Sequence, residues 1–152
     1  MKKATWLLLY GVIFTSIIII DRLTKIHVKS LGNKIIIPHF FSFHLVYNRG
    51  ISWSLFYSEN PAVFWGLTLI IALFIILFFL YTYNRWLQKI PIIAEVMVLA
   101  GALSNLLDRI LYGGVIDFIV VSYYEWAWPI FNIADVCIVT GLVIMIFREF
   151  CI

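Results

Sequence analysis

Four aspartates, Asp21, Asp108, Asp117 and Asp135, are the residues whose type and placement point to chemistry. Asp117 stands in an apolar stretch, Gly113-Gly114-Val115-Ile116-Asp117-Phe118-Ile119, with no basic neighbour. Asp135 also lacks an adjacent base and follows Asn132 by three positions, so one helical turn puts both side chains on one face. A carboxyl in apolar surroundings holds its proton more tightly than the ~3.9 of a free Asp, and two that approach each other resist double ionisation. This is the electrostatics of an aspartic dyad: one ionised carboxylate takes a proton from water while its protonated partner hydrogen-bonds a scissile carbonyl. Such chemistry requires no metal and no cofactor. Asp21 and Asp108 are each followed by Arg. For Asp21 the preferred reading is an interfacial charge pair marking a helix end; for Asp108 that reading and a functional one both stay open.

Gly101, Asn105, Asp108 and Arg109 fall at i, i+4, i+7 and i+8, a single helical stripe. Gly101 lets another backbone approach, and Asn105 and Arg109 offer donors. A packing face with a polar end and the wall of a site fit this spacing equally well.

The elements that position these residues belong to a membrane protein. Of 152 residues, 64% are hydrophobic and only 12% charged, about half the charge that covers a soluble domain. A net charge of +3, scattered along the chain, makes no case for nucleic acid. Apolar runs at about 4–20, 62–83, 90–107 and 130–147 approach the ~17–25 residues of a bilayer-crossing helix, predicting four spans. The first run ends Ile-Ile-Ile-Ile-Asp-Arg without a small-residue cleavage site, so it is read as a helix rather than a signal peptide, and no Leu-x-x-Cys-like box follows it. Cys137 and Cys151 read as small apolar residues rather than a disulfide framework. Lys2, Lys3, Arg85, Lys89 and Arg148 crowd short segments at the terminal face, whereas the six bases of the other face are spread over long loops. Density near the helix ends therefore predicts cytoplasmic termini, and all four aspartates fall at the outer face.

In the first outer loop Phe41, Phe43, Leu45 and Tyr47 alternate with Ser42, His44 and Val46; after Asn48-Arg49-Gly50 the alternation resumes as Ile51, Trp53 and Leu55. That period predicts a strand, a turn and a strand, a small sheet outside the bilayer within 34–57. Trp53, Tyr123, Tyr124, Trp126 and Trp128 read as an interfacial aromatic belt, with a lid formed by Tyr123 to Pro129 as the alternative for the second loop.

Rival chemistries find less support. A transporter needs midplane polar residues, yet Glu95 is the only acid well inside a span, expected to snorkel or to pair with Lys89. His27, His39 and His44 lack His-Glu-x-x-His spacing, and Ser30 beside Lys29 lacks any supporting block for a serine–lysine peptidase.

Five blocks then become recognisable in order: Asp21-Arg22-Leu23-Thr24-Lys25, Asn48-Arg49-Gly50-Ile51-Ser52-Trp53-Ser54, Gly101-Ala102-Leu103-Ser104-Asn105-Leu106-Leu107-Asp108-Arg109, Val115-Ile116-Asp117-Phe118 and Phe131-Asn132-Ile133-Ala134-Asp135. Over nearly the whole chain they resemble the lipoprotein signal peptidase family, signal peptidase II. The resemblance implies a single-domain bacterial inner-membrane aspartic endopeptidase, 1–152, with four transmembrane helices and a small extracytoplasmic β-sheet cradle. It implies cleavage of diacylglyceryl-modified prolipoproteins just before the lipidated cysteine, with Asp117 and Asp135 as the catalytic pair. Asn48, Gly50, Asn105, Arg109 and Asn132 match its substrate-binding positions, while Asp21, Lys25 and Asp108 match positions that support the site. Its partners are then the lipid-modified substrates and membrane lipid, without a partner subunit, and globomycin-type cyclic peptides are the expected inhibitors. Ile51 and Trp53 are bulkier than the family's usual Ala and Phe, and Ser104 replaces a usual Gly. These departures are expected to change the contour of the groove and not the dyad.

Overall fold

The computed structural model describes residues 3–51 and 55–151. Helices α1 (Lys3–Leu31), α2 (Pro61–Leu87), α3 (Ile93–Tyr112) and α4 (Ile133–Cys151) alternate with strands β1 (Lys34–Ile37), β2 (Phe41–Asn48), β3 (Val115–Tyr123) and β4 (Trp126–Ala127). Over Ala4–Leu31 and Pro61–Leu87, α1 and α2 are long and apolar enough to cross a membrane on length and composition alone. The central helix is α3, which packs against α1, α2 and α4.

Two glycines set the distance between α3 and α4. A Cβ on Gly101 would lie 2.5 Å from the Ala134 carbonyl oxygen, and one on Gly141 would lie 2.6 Å from that of Ala94. Gly101 thus belongs to a packing seam, as its half of the stripe suggests.

The strands form one antiparallel sheet, ordered β1-β2-β3-β4. The alternation over 41–47 is indeed a strand, while the predicted return strand over 51–55 falls mostly outside the described residues. Among the described residues β2 pairs with β1 and with the distant β3, from Phe41↔Val121 to Asn48↔Val115. The Ile51 N–H bonds the Leu55 carbonyl in a turn, and Ser52, Trp53 and Ser54 lie outside the described residues. Long-range pairing prevails because β3 is buried from Val115 to Ile119 and offers β2 a packed partner. Gly113, at φ 70°, ends α3 in the left-handed conformation that glycine adopts without strain, aiming the chain into β3.

Two helix boundaries are corrected. α1 runs past Asp21 to Leu31, because Asp21, Lys25 and Val28 continue one buried stripe at i, i+4 and i+7. Its far end anchors the sheet, with Val28 packed against Phe118 and Ile119. In the fourth apolar run, Phe131 bridges to Ile119 before the helix begins at Ile133.

Gly101→Ala is expected to lower the apparent melting temperature in detergent, by the ~1–3 kcal/mol typical of overpacking. Gly66→Ala, where an added Cβ meets nothing within 4 Å, should leave it unchanged or raised. Scanning fluorimetry of the two purified variants checks the contrast.

Candidate active site

Helix α4 begins with a reciprocal cap. The Asn132 side-chain oxygen accepts the Asp135 N–H at 2.9 Å, while the Asn132 N–H donates to Asp135 Oδ2 at 3.0 Å. This is the capping-box arrangement, with Asn at the cap and Asp three residues on. Because Oδ1 of Asn132 is an acceptor here, its Nδ2 is left to donate elsewhere. It reaches Asp117 Oδ1 at 2.7 Å, Asn105 Oδ1 at 3.1 Å and the Ile116 carbonyl at 3.3 Å. One asparagine therefore holds both candidate acids, from β3 and α4.

Each acid has a second amide partner. Asn48 Nδ2 donates to Asp117 Oδ2 at 3.1 Å, and Asn105 Nδ2 donates to Asp135 Oδ1 at 2.8 Å. Asp117 and Asp135 both line a cavity of about 530 Å³ that also takes in Asn48, Gly50, Asn105 and Arg109. Burial, and secondarily the nearby Asp135 carboxyl, push Asp117 up to about 7; the Asn48 and Asn132 hydrogen bonds and the Lys25 charge act the other way.

Behind the dyad lies a buried ion cluster. Lys25 Nζ sits 2.6 Å from Asp21 Oδ2, 2.7 Å from Asp108 Oδ2 and 3.1 Å from Asn105 Oδ1. Arg22 adds a contact to Asp108 Oδ1 at 2.6 Å and a longer one to Asp21 at 3.5 Å. Asp21 Oδ1 accepts the Ala134 N–H at 3.0 Å, and Asp108 Oδ2 accepts the Ile116 N–H at 3.2 Å. Of the two readings left open for Asp108, the pair with its neighbour Arg109 does not form, because the Arg109 guanidinium is committed to Thr68 and the Arg49 and Gly50 carbonyls. Asp21 does meet Arg22, though in the interior rather than at a helix end.

Arg109 is 2% exposed and turns toward α2. Its guanidinium donates to Gly50 O at 2.7 Å, Arg49 O at 2.9 Å and Thr68 Oγ1 at 3.0 Å, and lies 4.8 Å from the Phe64 ring centroid. It thereby braces the Asn48–Gly50 turn, in which the Gly50 N–H bonds Asn48 Oδ1 at 2.9 Å. Sequence reasoning missed Thr68, whose one signal is a hydroxyl amid the apolar run of α2. It also misread Ser104, which faces away from the groove, fully buried, and donates to Asp21 Oδ2 at 2.6 Å.

The rival constellations do not assemble. Glu95 pairs with Arg85 and Arg148 rather than Lys89, since both guanidinium groups reach the buried face of α3 on which it lies. Ser30 Oγ donates to the His27 carbonyl, and Lys29 lies over the Tyr112 ring. Among the described residues no three His, Cys, Asp or Glu side chains converge as metal ligands. Cys137 is a free thiol.

A family model described as "Signal peptidase (SPase) II" matches residues 13–151. Proteins named lipoprotein signal peptidase are 36% identical over 137 residues in Janthinobacterium sp. (strain Marseille), covering 88% of this chain and 82% of the relative. One in Teredinibacter turnerae (strain ATCC 39867 / T7901) is 38% identical over 147 residues, covering 90% and 83%. A solved bacterial membrane enzyme structure, determined in meso at 2.3 Å resolution, superposes with a TM-score of 0.69 at 31% identity, covering 93% of this chain and 87% of that one. A second, at 1.9 Å, gives 0.66 at 31% identity, covering 92% and 91%.

Two outcomes follow from the geometry. Lys25→Met strands two buried carboxylates and should cost about 3–5 kcal/mol of stability, read as a collapse of the thermal transition. Between the ordinary Asp value of 3.8 and about 7, the unfolded chain has released a proton that Asp117 retains in the fold. Stability therefore falls as pH rises through that window. Thermal scans across it should slope downward in the parent and less so in Asp117→Asn; equal slopes would contradict the assignment.

Proposed function

The chain belongs to the signal peptidase II family, and from that membership we propose that it is a membrane-embedded aspartic endopeptidase acting on diacylglyceryl-modified bacterial prolipoproteins, cutting just before the lipid-bearing cysteine. The observation that carries the aspartic chemistry is the bridge of Asn132 between Asp117 and Asp135 at the wall of one cavity.

Asp117, which keeps its proton to about 7, is the acid of the pair. Asp135 is the base: it sits in the first turn of α4, where the helix dipole favours negative charge, and it accepts two N–H donors. Asp135 takes a proton from water as the water oxygen bonds to the scissile carbonyl carbon. Asp117 gives its proton to the carbonyl oxygen, so the tetrahedral intermediate is a neutral diol. Collapse breaks the C–N bond; the proton on Asp135 passes to the leaving nitrogen and a diol proton returns to Asp117, restoring the starting pair. Asn48, Gly50, Asn105, Arg109 and Asn132 shape and line the groove, with Asp21, Lys25 and Asp108 holding its floor.

All four helices cross the bacterial inner membrane in this reading, with both termini cytoplasmic and the sheet outside. The pairing of Arg148 with Glu95 and its bond to the Pro91 carbonyl support it, since they gather the C-terminus and the α2–α3 turn at the end opposite the dyad. A signal peptide is itself a membrane helix whose acylated end lies at the outer leaflet, so an outer dyad meets the bond without dragging it through lipid. The segment near the cut lies extended against the cradle strands. The enzyme works without a partner subunit, and globomycin-type cyclic peptides compete for the cavity.

Processing of a diacylglyceryl-modified precursor by the reconstituted chain should fall at least ~10²–10⁴-fold in Asp117→Asn and in Asp135→Asn, and resist chelators in the parent. Parent-rate processing by both variants would overturn the aspartic reading, and loss with chelator would redirect it to a metal.

A further inference from the structure

A second cavity, of about 410 Å³, opens at the other end of the bundle between the start of α1 and the α2–α3 turn. Its volume lies in the range of small-molecule clefts. Trp6, Tyr10 and Trp86 form its walls, with Trp6 and Tyr10 stacked at 5.7 Å between ring centroids, and Lys89 at its mouth is exposed.

Lys89 is an odd choice for its backbone. Helix α2 ends with the Lys89 N–H on the Trp86 carbonyl at 3.0 Å and the Ile90 N–H on the Arg85 carbonyl at 3.1 Å. These are the two bonds of a Schellman motif, whose turning residue is normally glycine because it must be left-handed. Lys89 takes that place at φ 62°. Glycine would hold the same turn with less strain. Among the described residues the lysine side chain makes no hydrogen bond and no ion pair; its charge suits the C-terminal end of α2 and its donors stay open to a ligand. A cation with unengaged donors at the mouth of an aromatic cavity, on a turn that glycine would hold with less strain, marks a ligand site.

We propose that this cavity binds an anionic phospholipid, with the headgroup phosphate on Lys89 and the glycerol region against the rings of Trp6, Tyr10 and Trp86. The inference rests on the reading of the bundle as membrane-spanning. Charge favours an anionic over a zwitterionic lipid. Arg85 and Arg148 share the buried carboxylate of Glu95, and the exposed Glu149 is the further acid of α4 at this end, so Lys89 leaves an excess of positive charge to which Lys2 and Lys3 of the sequence add. Tryptophan and tyrosine suit the boundary where headgroup meets acyl chain. An ammonium at the mouth of a cavity walled by half-buried Trp6 and Trp86 over the buried Tyr10 ring is an arrangement that holds a phosphate outside and the adjoining glycerol against the rings.

The test uses the full chain in neutral detergent with equimolar phosphatidylglycerol and phosphatidylcholine, counting retained lipids by native mass spectrometry. The parent should retain phosphatidylglycerol selectively, and Lys89→Gln should lose about fivefold of that retention with phosphatidylcholine unchanged. Lys89→Gly should show the same loss without a lower melting temperature, which separates ligand binding from a role in the turn. Equal retention of the two lipids by the parent, or undiminished phosphatidylglycerol on Lys89→Gln, overturns the proposal. Complete displacement by excess inorganic phosphate also overturns it, in favour of a free-anion pocket. Asp117→Asn should retain phosphatidylglycerol while failing to process precursor, and Lys89→Gln should process it in detergent at the parental rate, so the two readings fail independently.

Discussion

The ammonium of Lys25, enclosed between the carboxylates of Asp21 and Asp108, is the contact on which the rest of the structure leans. A lysine has three N–H donors, and here each has an acceptor: Asp21, Asp108 and Asn105. Removing such charges from water is costly, and the cluster is sustainable because Arg22 balances the second carboxylate, the Ala134 N–H takes the free oxygen of Asp21, and the Ile116 N–H shares Asp108 Oδ2 with Lys25. Those backbone groups belong to Ala134 in α4 and Ile116 in β3. A single buried cluster thus ties α1, α3, α4 and β3 together where the candidate acids emerge. It also explains why α1 continues beyond its apolar run: the extra turns carry Lys25 and then Val28 to their places beneath the sheet.

The same cluster determines which way the site amides face. Asn105 Oδ1 accepts from Lys25 and from Asn132, so its Nδ2 is the end left for Asp135. Asn132 is oriented likewise, its oxygen committed to the cap of α4 and its nitrogen thereby turned to Asp117. Neither assignment depends on seeing hydrogens, because exchanging O and N in either amide would set donor against donor. Orientation at the dyad is inherited from charge buried one layer deeper.

How much of this was legible in the sequence follows from the range of each interaction. Asn132 and Asp135 are three residues apart, and their shared face was readable from helical spacing because the cap is local. The strand over Phe41–Asn48 was readable from its alternation, but its partner was not, since pairing with β3 spans some seventy positions and alternation carries no address. Asp21 and Asp108 were visible as charges beside arginines, and adjacency left Arg109 open as a partner for Asp108, which meets Arg22 and Lys25 of α1. Nothing local indicates that Lys25, one turn beyond Asp21, reaches across to α3. Ser104 looked like a change in the groove because it stands where the resemblance expects Gly, whereas it is fully buried and donates to Asp21. Contacts within one turn were legible; those set by the approach of distant helices were not.

One consequence concerns the economy of the site itself. In the first turn of α4, Asp135 accepts the Asn132 N–H on one oxygen and the Asn105 amide on the other. Each carboxylate oxygen has two lone-pair directions, so each retains one after these bonds are made. In the proposed mechanism Asp135, as the base, can therefore accept a proton without releasing either hold, and its position survives the change of charge. A base mounted on a loop would have to be reordered after each turnover; one built into a helix cap is reset by the bonds that start the helix. In the proposed mechanism stability and chemistry use the same atoms, which is why a carboxyl in this apolar chain is best carried at the beginning of a helix.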